Sequence, residues 1–325
     1  MQIGLGFLGE ILTVNEKVEY ARHAENLGLK SIWLAEHYYH RDAMIAAAAI
    51  LSKTVKVTVG TSVINPYTRN PALIAMSAAT LDEMSDGMFI LGIGTGFPQW
   101  IEEQMDIPVG NLGRSLVESL EIIRNILHRK ETSFEGRRFV MRNVSLGFDS
   151  SSSRIPIYVA AVGPRMLEMA GRIADGVILS GGKSSPSYLR WSMKAIRRGL
   201  SSGREKEFAK VCLVFTSLAR SKAKARTMVK PSLLMPLMRP GRAKLVLGDE
   251  SLIKDARDAF DAGDRKHALE RLPDDVVDTL SISGNAEECM RGIRKFADLG
   301  LTDLVLEPVH FESDELMKLL RMVAK

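Results

Sequence analysis

Short apolar runs alternate with amphipathic ones along almost the whole chain, and this alternation restricts it to βα units wound around a parallel sheet. Ile3–Phe7, Ser31–Leu34, Val55–Val59, Met88–Ile93, Ile157–Ala161, Val177–Leu179 and Val211–Phe215 read as seven strands, and Asp303–Leu306 supplies an eighth. Between them lie helix signals. Thr13-Val14-Asn15-Glu16 is a capping box ahead of Val18, Ala21, Ala24 and Leu27 on one face, with Gly28 as the stop. Asp42 to Ser52 and Ser115 to Leu127 read as helices, and Asn70-Pro71 opens another whose Leu73, Ile74, Ala78, Leu81 and Met84 are expected to face inward. Two segments break the rhythm. Glu131 to Ser153 reads as a hairpin and loop, while Ala219 to Leu280 is charged and helix-forming, with Pro231, Pro236, Pro240 and Gly241 as breakers. The expectation is an α/β chain folded as a (β/α)8 TIM barrel, one domain over residues 1–325 with a helical insertion at about 220–280 between strands seven and eight.

Composition narrows the function. Of 325 residues, 46% are hydrophobic and 26% charged, a soluble globular profile, and the net charge of +5 is spread along helices without an arginine-rich arm, so nucleic acid is not the expected partner. An anionic small molecule suits the charge as well. Cys212 falls in an apolar strand and Cys289 on a helix, which gives neither a disulfide framework nor a metal-ligand pattern. With no basic leader before Gln2–Phe7 and no apolar run of membrane-spanning length, the expected setting is the cytoplasm.

Right-handed winding places every strand's C-terminal end on one rim, so candidate residues are those immediately after strands. Glu36 and His37 follow strand two, and a histidine beside a carboxylate suits proton transfer near neutral pH. His37 could equally hydrogen-bond within the barrel mouth; a metal reading with His40 lacks the spacing of helical zinc sites. After strand three, Gly60, Ser62, Val63, Asn65 and Pro66 force the backbone out of the ladder, by a bulge or by an ordinary strand-to-helix loop. Gly92-Ile93-Gly94-Thr95-Gly96 lets a ligand approach the backbone near Thr95 and Gly96, then passes into Phe97-Pro98-Gln99-Trp100, which is not read as a helix. Val162, Gly163, Arg165 and Met166 surround a helix start suited to a phosphate, and Ser180 and Lys183 offer a hydroxyl and a cation to a phosphate or acidic substrate, unless Lys183 is simply solvated. Gly4-x-Gly6-x-x-Gly9 matches a dinucleotide-binding pattern, but its glycines lie inside a strand and no helix follows at once.

The stretch from Gly60-Thr61-Ser62-Val63-Ile64-Asn65-Pro66 to Gly92-Ile93-Gly94-Thr95-Gly96 resembles the bacterial luciferase-like superfamily, most closely its coenzyme F420-dependent branch, and the likeness runs through Ser281-Ile282-Ser283-Gly284 and Leu301–Val305. The resemblance is greatest to methylenetetrahydromethanopterin reductases. It implies a non-proline cis peptide at Ser62–Val63 against the deazaflavin ring, the Glu36–His37 pair by the reactive edge, and the cofactor phosphate at the Gly163-Pro164 turn. It also implies hydride transfer between C5 of F420 and a small organic substrate, and a homodimer. FMN is the alternative cofactor, with a flavin-dependent monooxygenase or a non-catalytic binding protein as the alternative roles. Phe97 departs from the pattern, because related F420 enzymes carry an acid there.

Overall fold

The computed structural model describes residues 1–8, 12–128, 131–148, 155–179, 182–311 and 314–324. Its first half runs β1 (Gln2–Phe7), α1 (Val14–Leu27), β2 (Ser31–Leu34), α2 (Ala43–Leu51), β3 (Thr58–Thr61), α3 (Pro71–Ser85), β4 (Phe89–Ile93), α4 (Pro98–Met105), α5 (Leu112–Leu127) and a hairpin of β5 (Thr132–Glu135) and β6 (Val140–Val144). Then come β7 (Ile157–Ala160), α6 (Pro164–Ile173), β8 (Gly176–Leu179), α7 (Pro186–Gly199) and β9 (Ala209–Leu218). Five helices follow: α8 (Lys222–Met238), α9 (Arg242–Leu247), α10 (Lys254–Asp261), α11 (Arg265–Arg271) and α12 (Asp274–Leu280). The chain closes with β10 (Ile282–Gly284), α13 (Ala286–Arg294), β11 (Asp303–Pro308) and α14 (Asp314–Val323).

Strands β1, β2, β3, β4, β7, β8, β9 and β11 pair in that order, all parallel, and β11 returns to β1 to close an eight-stranded barrel. β10 is a ninth, short strand that lengthens the end of β9 by pairing Ile282 with Thr216 and Gly284 with Leu218. Outward-facing side chains join the helices in the main core, while Trp33, Ile90, Ile178, Val211, Leu213 and Val305 fill the barrel interior as a separate cluster. One side chain dominates that interior. Trp33 is 1% exposed and anchors its indole N–H on Ser31 at 3.0 Å; a Cβ at Gly60 on the neighbouring strand would come within 2.6 Å of its ring. On the first strand, a Cβ at Gly4 would meet Ser31 of β2, and one at Gly6 would meet Val305 and Glu307 of β11, so these glycines make room for side chains and not for a dinucleotide.

Four expectations need correction. The third strand begins at Thr58, not Val55, because the Glu25 carboxylate accepts the N–H groups of Val55, Lys56 and Val57 at 2.7, 2.6 and 3.3 Å and so removes them from any ladder; Val55 is 79% exposed. On α3 the buried stripe is Ile74, Ala75, Ala78 and Leu81, whereas Leu73 and Met84 lie on the exposed side. A helix does follow Gly96-Phe97, since Pro98 sits at its first turn, where the missing N–H costs nothing. Pro231 and Pro236 do not break α8: its apolar face of Ala225, Val229, Leu233, Leu234 and Leu237 stays continuous, and that burial offsets the lost backbone bonds. Among the described residues no helix is long and apolar enough to cross a membrane.

Candidate functional site

The chain leaves β2 through Glu36, His37 and Tyr38. Glu36 is largely enclosed: its carboxylate accepts Nε and Nη2 of Arg69 at 3.2 and 2.9 Å, and the Ala43 N–H at the start of α2 at 2.9 Å. Arg69 also pairs with Asp42, whose carboxylate caps α2 through the N–H groups of Met44 and Ile45 at 2.9 and 3.0 Å. Burial alone would raise the Asp42 pKa, but the guanidinium and the helix amides outweigh it and hold the carboxyl below its usual range. Glu36 is thus a strut between two loops. His37 is half-buried, with its ring 6.3 Å from that of His40 and edge-on to it.

Asn65 and Tyr38 tie the next loops together. The buried Asn65 amide oxygen accepts the N–H groups of Tyr67 and Thr68, both at 3.0 Å, and its nitrogen donates to the Tyr38 hydroxyl at 3.1 Å. That hydroxyl in turn accepts the Phe97 N–H at 3.3 Å. Gly96 has a positive φ of 62°, and a Cβ there would lie 2.3 Å from the Tyr38 oxygen, so both backbone and packing require glycine. Thr95 beside it is half-buried.

The backbone bulges at the end of β3. Thr61 uses its hydroxyl to bond the Gly92 carbonyl and N–H at 2.8 and 2.9 Å, and Ile64 then resumes pairing with β4 at Ile93. Between them the Ser62–Val63 peptide bond is cis, as the resemblance implies. Val63 packs on the barrel-interior cluster, where a Cβ at Gly94 would come within 2.7 Å of it, and the Ser62 hydroxyl is buried without a partner among the described residues.

α6 starts at Pro164 with Gly163 before it, and among the described residues no side chain caps its first turn. A Cβ at Gly163 would meet nothing within 4 Å, so the backbone faces open space; Arg165 is exposed and Met166 half-buried. The Val162 carbonyl accepts the Tyr188 hydroxyl at 2.8 Å, which fixes this turn to α7. Ser180 lies outside the described residues. Lys183, half-buried past β8, has its pKa pushed down to about 7, first by burial and then by Arg242 and Arg239.

Three residues of the mouth escaped the sequence reading. Arg239 and Arg242 come from the insertion, and the Arg239 guanidinium lies 4.8 Å from the centre of the Phe97 ring, which itself stacks on Trp100 at 5.3 Å. Burial lowers the pKa of both arginines. Glu307, near the end of β11, is 4% exposed, and burial pushes its carboxyl up to about 7 against the pull of Lys183. The signal was present in the sequence: Glu307 stands immediately after the Asp303–Leu306 run, the same position that singled out residues behind the other strands.

A 5,10-methylenetetrahydromethanopterin reductase of Archaeoglobus fulgidus is 29% identical over 317 residues, covering 94% of this chain and 92% of that protein. Among solved structures, the coenzyme F420-dependent tetrahydromethanopterin reductase of Methanopyrus kandleri matches with a TM-score of 0.84 at 23% identity, over 100% of this chain and 98% of the other. An F420-dependent secondary alcohol dehydrogenase in complex with an F420-acetone adduct matches with a TM-score of 0.79 at 21% identity, over 99% and 97%. These two likenesses establish the fold. The sequence profile described as luciferase-like monooxygenase matches residues 2–303, and the chain belongs to that luciferase-like family of oxidoreductases.

Proposed function

We propose that the protein is an F420-dependent oxidoreductase acting on a small organic substrate, similar in sequence to the methylenetetrahydromethanopterin reductases. The observation that carries this reading is the uncapped start of α6 at Gly163, open to space on the same rim as the Val63 bulge. Free first-turn amides and the positive helix end favour a phosphate there, and no side chain blocks its approach. The residues present therefore fit a phosphate-bearing, ring-shaped cofactor. When bound, F420 supplies or accepts a hydride at C5.

The chain's own residues hold and screen the reaction. The backbone at Gly163, Arg165 and Met166 binds the phosphate, with Val162 positioning the turn. Ser62 and Val63 form the shelf for the ring, Thr95 and Gly96 border its edge, and Asn65 keeps the shelf loop in shape. His37 presents an imidazole from the β2 loop, held in place beside the Glu36 strut. Lys183, with Arg239 and Arg242 nearby, favours a substrate carrying an acidic group, a role assigned also to the Ser180 hydroxyl. Ile45 on α2 and Leu73, Met76 and Met84 on α3 form an exposed apolar set, which supports a homodimer through these early helices. Light scattering should then give twice the 35.9 kDa chain mass.

Parallel fluorescence titrations with F420 and FMN test the cofactor. F420 should bind at least about tenfold more tightly, about 1.4 kcal/mol. Equal or tighter FMN binding transfers the protein to the flavin-dependent monooxygenases of the family, and binding of neither removes the reading.

A further inference from the structure

β11 alternates strictly: Val305 belongs to the barrel-interior cluster and Leu306 to the outer core, so Glu307 points inward again, one step nearer the mouth than Val305. The neighbouring strand yields space to it. A Cβ at Gly6 on β1 would stand 2.6 Å from the Glu307 Cγ, so any larger residue there would displace the carboxyl. Register places Phe215 of β9 opposite it on the other side. The charged and titratable groups acting on it are Lys183 from the loop after β8 and Cys212 on β9, with Arg239 and Arg242 of the insertion acting in turn on Lys183. Burial pushes the Cys212 thiol up to about 12, so it stays uncharged.

The other acids of the rim have structural duties. Glu36 and Asp42 are bound to Arg69 and to the amides of α2, and position 97 is a phenylalanine. Glu307 touches no such frame. A carboxyl kept protonated near neutrality by an apolar barrel wall, with a cation near to receive it as carboxylate, suits a general acid.

We propose that Glu307 is the catalytic acid of this site, giving its proton to the oxygen of a carbonyl substrate as the carbonyl carbon receives hydride. The proposal rests on the oxidoreductase reading above. In the reducing direction the carbonyl carbon gains a hydrogen with its electron pair from the reduced cofactor, and the C=O π bond breaks. The oxygen takes the proton of Glu307 and becomes an alcohol; the cofactor is oxidised, and Glu307 is left as a carboxylate within the electrostatic influence of Lys183. The reverse reaction returns the proton to Glu307. A preformed iminium cation needs no such proton, so the acid matters for neutral carbonyl acceptors.

Glu307→Gln keeps the volume and removes the proton. In cofactor-free protein labelled with δ-13C glutamate, one carboxyl resonance should titrate near neutrality, vanish in Glu307→Gln and shift when F420 is added. The F420 dissociation constant of the variant should stay within about twofold of wild type, while single-turnover oxidation of bound reduced F420 by propanal falls by roughly 10² to 10⁴. The wild-type rate should decline as pH rises through the Glu307 titration, and the residual rate of the variant should not. A Glu307 resonance titrating below pH 5, one indifferent to F420, wild-type protein that binds reduced F420 yet leaves it unoxidised by propanal, or a variant within threefold of the wild-type rate overturns the assignment. Wild-type protein that fails to bind F420 in the same titration defeats the underlying oxidoreductase reading instead.

Discussion

The two halves of the barrel mouth are built on opposite principles. On the β2–β4 side Glu36, Asp42, Arg69, Tyr38 and Asn65 spend their hydrogen-bonding capacity on one another and on backbone, locking three loops into one frame. Across the mouth, the Ser217 and Ser283 hydroxyls, one nitrogen of His310 and one of Arg242 are buried without partners among the described residues, and Glu307 and Lys183 are displaced towards neutrality. A buried polar group without a partner costs about 1 to 3 kcal/mol. Apart from the Ser62 hydroxyl at its inner edge, the first half is therefore scaffold, and the second retains capacity for something that arrives later.

The sharpest way to break this contrast is to cut the scaffold. Asn65→Ala removes the acceptor of the Tyr67 and Thr68 amides and strands them in a buried loop, so urea unfolding should show a loss of about 3 kcal/mol. A loss under about 1 kcal/mol would mean that the loop does not depend on this residue.

The second test uses pH and concerns the other half. The Glu307 pKa is raised in the folded chain from an ordinary 4.5 to about 7, so the folded state holds the proton where the unfolded chain has released it. Its contribution to stability is full below about 4.5 and is lost as pH rises towards 7. Glu307→Gln, which does not titrate, should gain on wild type across that window by about 3 kcal/mol, given about 1.4 kcal/mol per pKa unit. Parallel thermal melts at pH 4.5 and 7 measure it; a difference that shrinks with rising pH would place an ionised carboxylate here. The smallest effect is expected at Ser217→Ala. Deleting a buried hydroxyl that has no partner among the described residues should stabilise the variant by up to about 1 kcal/mol, whereas Thr61→Val, which breaks both bonds to Gly92, should cost about 1.5 kcal/mol in the same denaturant series.

The scaffold half was more legible in the sequence than the other. Strand and helix periods are local, so the eight barrel strands, the Thr13 capping box, the Asn70-Pro71 helix start and the bulge after Thr61 could all be read from neighbours in the chain. Features that depend on residues far apart could not. Nothing around Val55 announces that Glu25, thirty residues earlier, takes its N–H, and Phe97 gives no sign that Arg239 will settle on its ring. Glu36 was read as chemistry from its place after a strand, yet its partners Arg69 and Ala43 hold it as a strut. Prolines misled within α8 because propensity is a weak term beside a continuous buried face.

Trp33 puts the filling of the barrel to a further use. Most of the volume that several branched side chains would share beneath the site is invested in one indole, with Gly60 making room for it. Its removal would leave the eight-stranded wall standing around a chamber walled mainly by Ile90, Ile178, Val211, Leu213 and Val305, with the freed Ser31 hydroxyl as its polar group. The floor of this mouth is in effect a plug, and the depth of the pocket above it is open to adjustment at a single position.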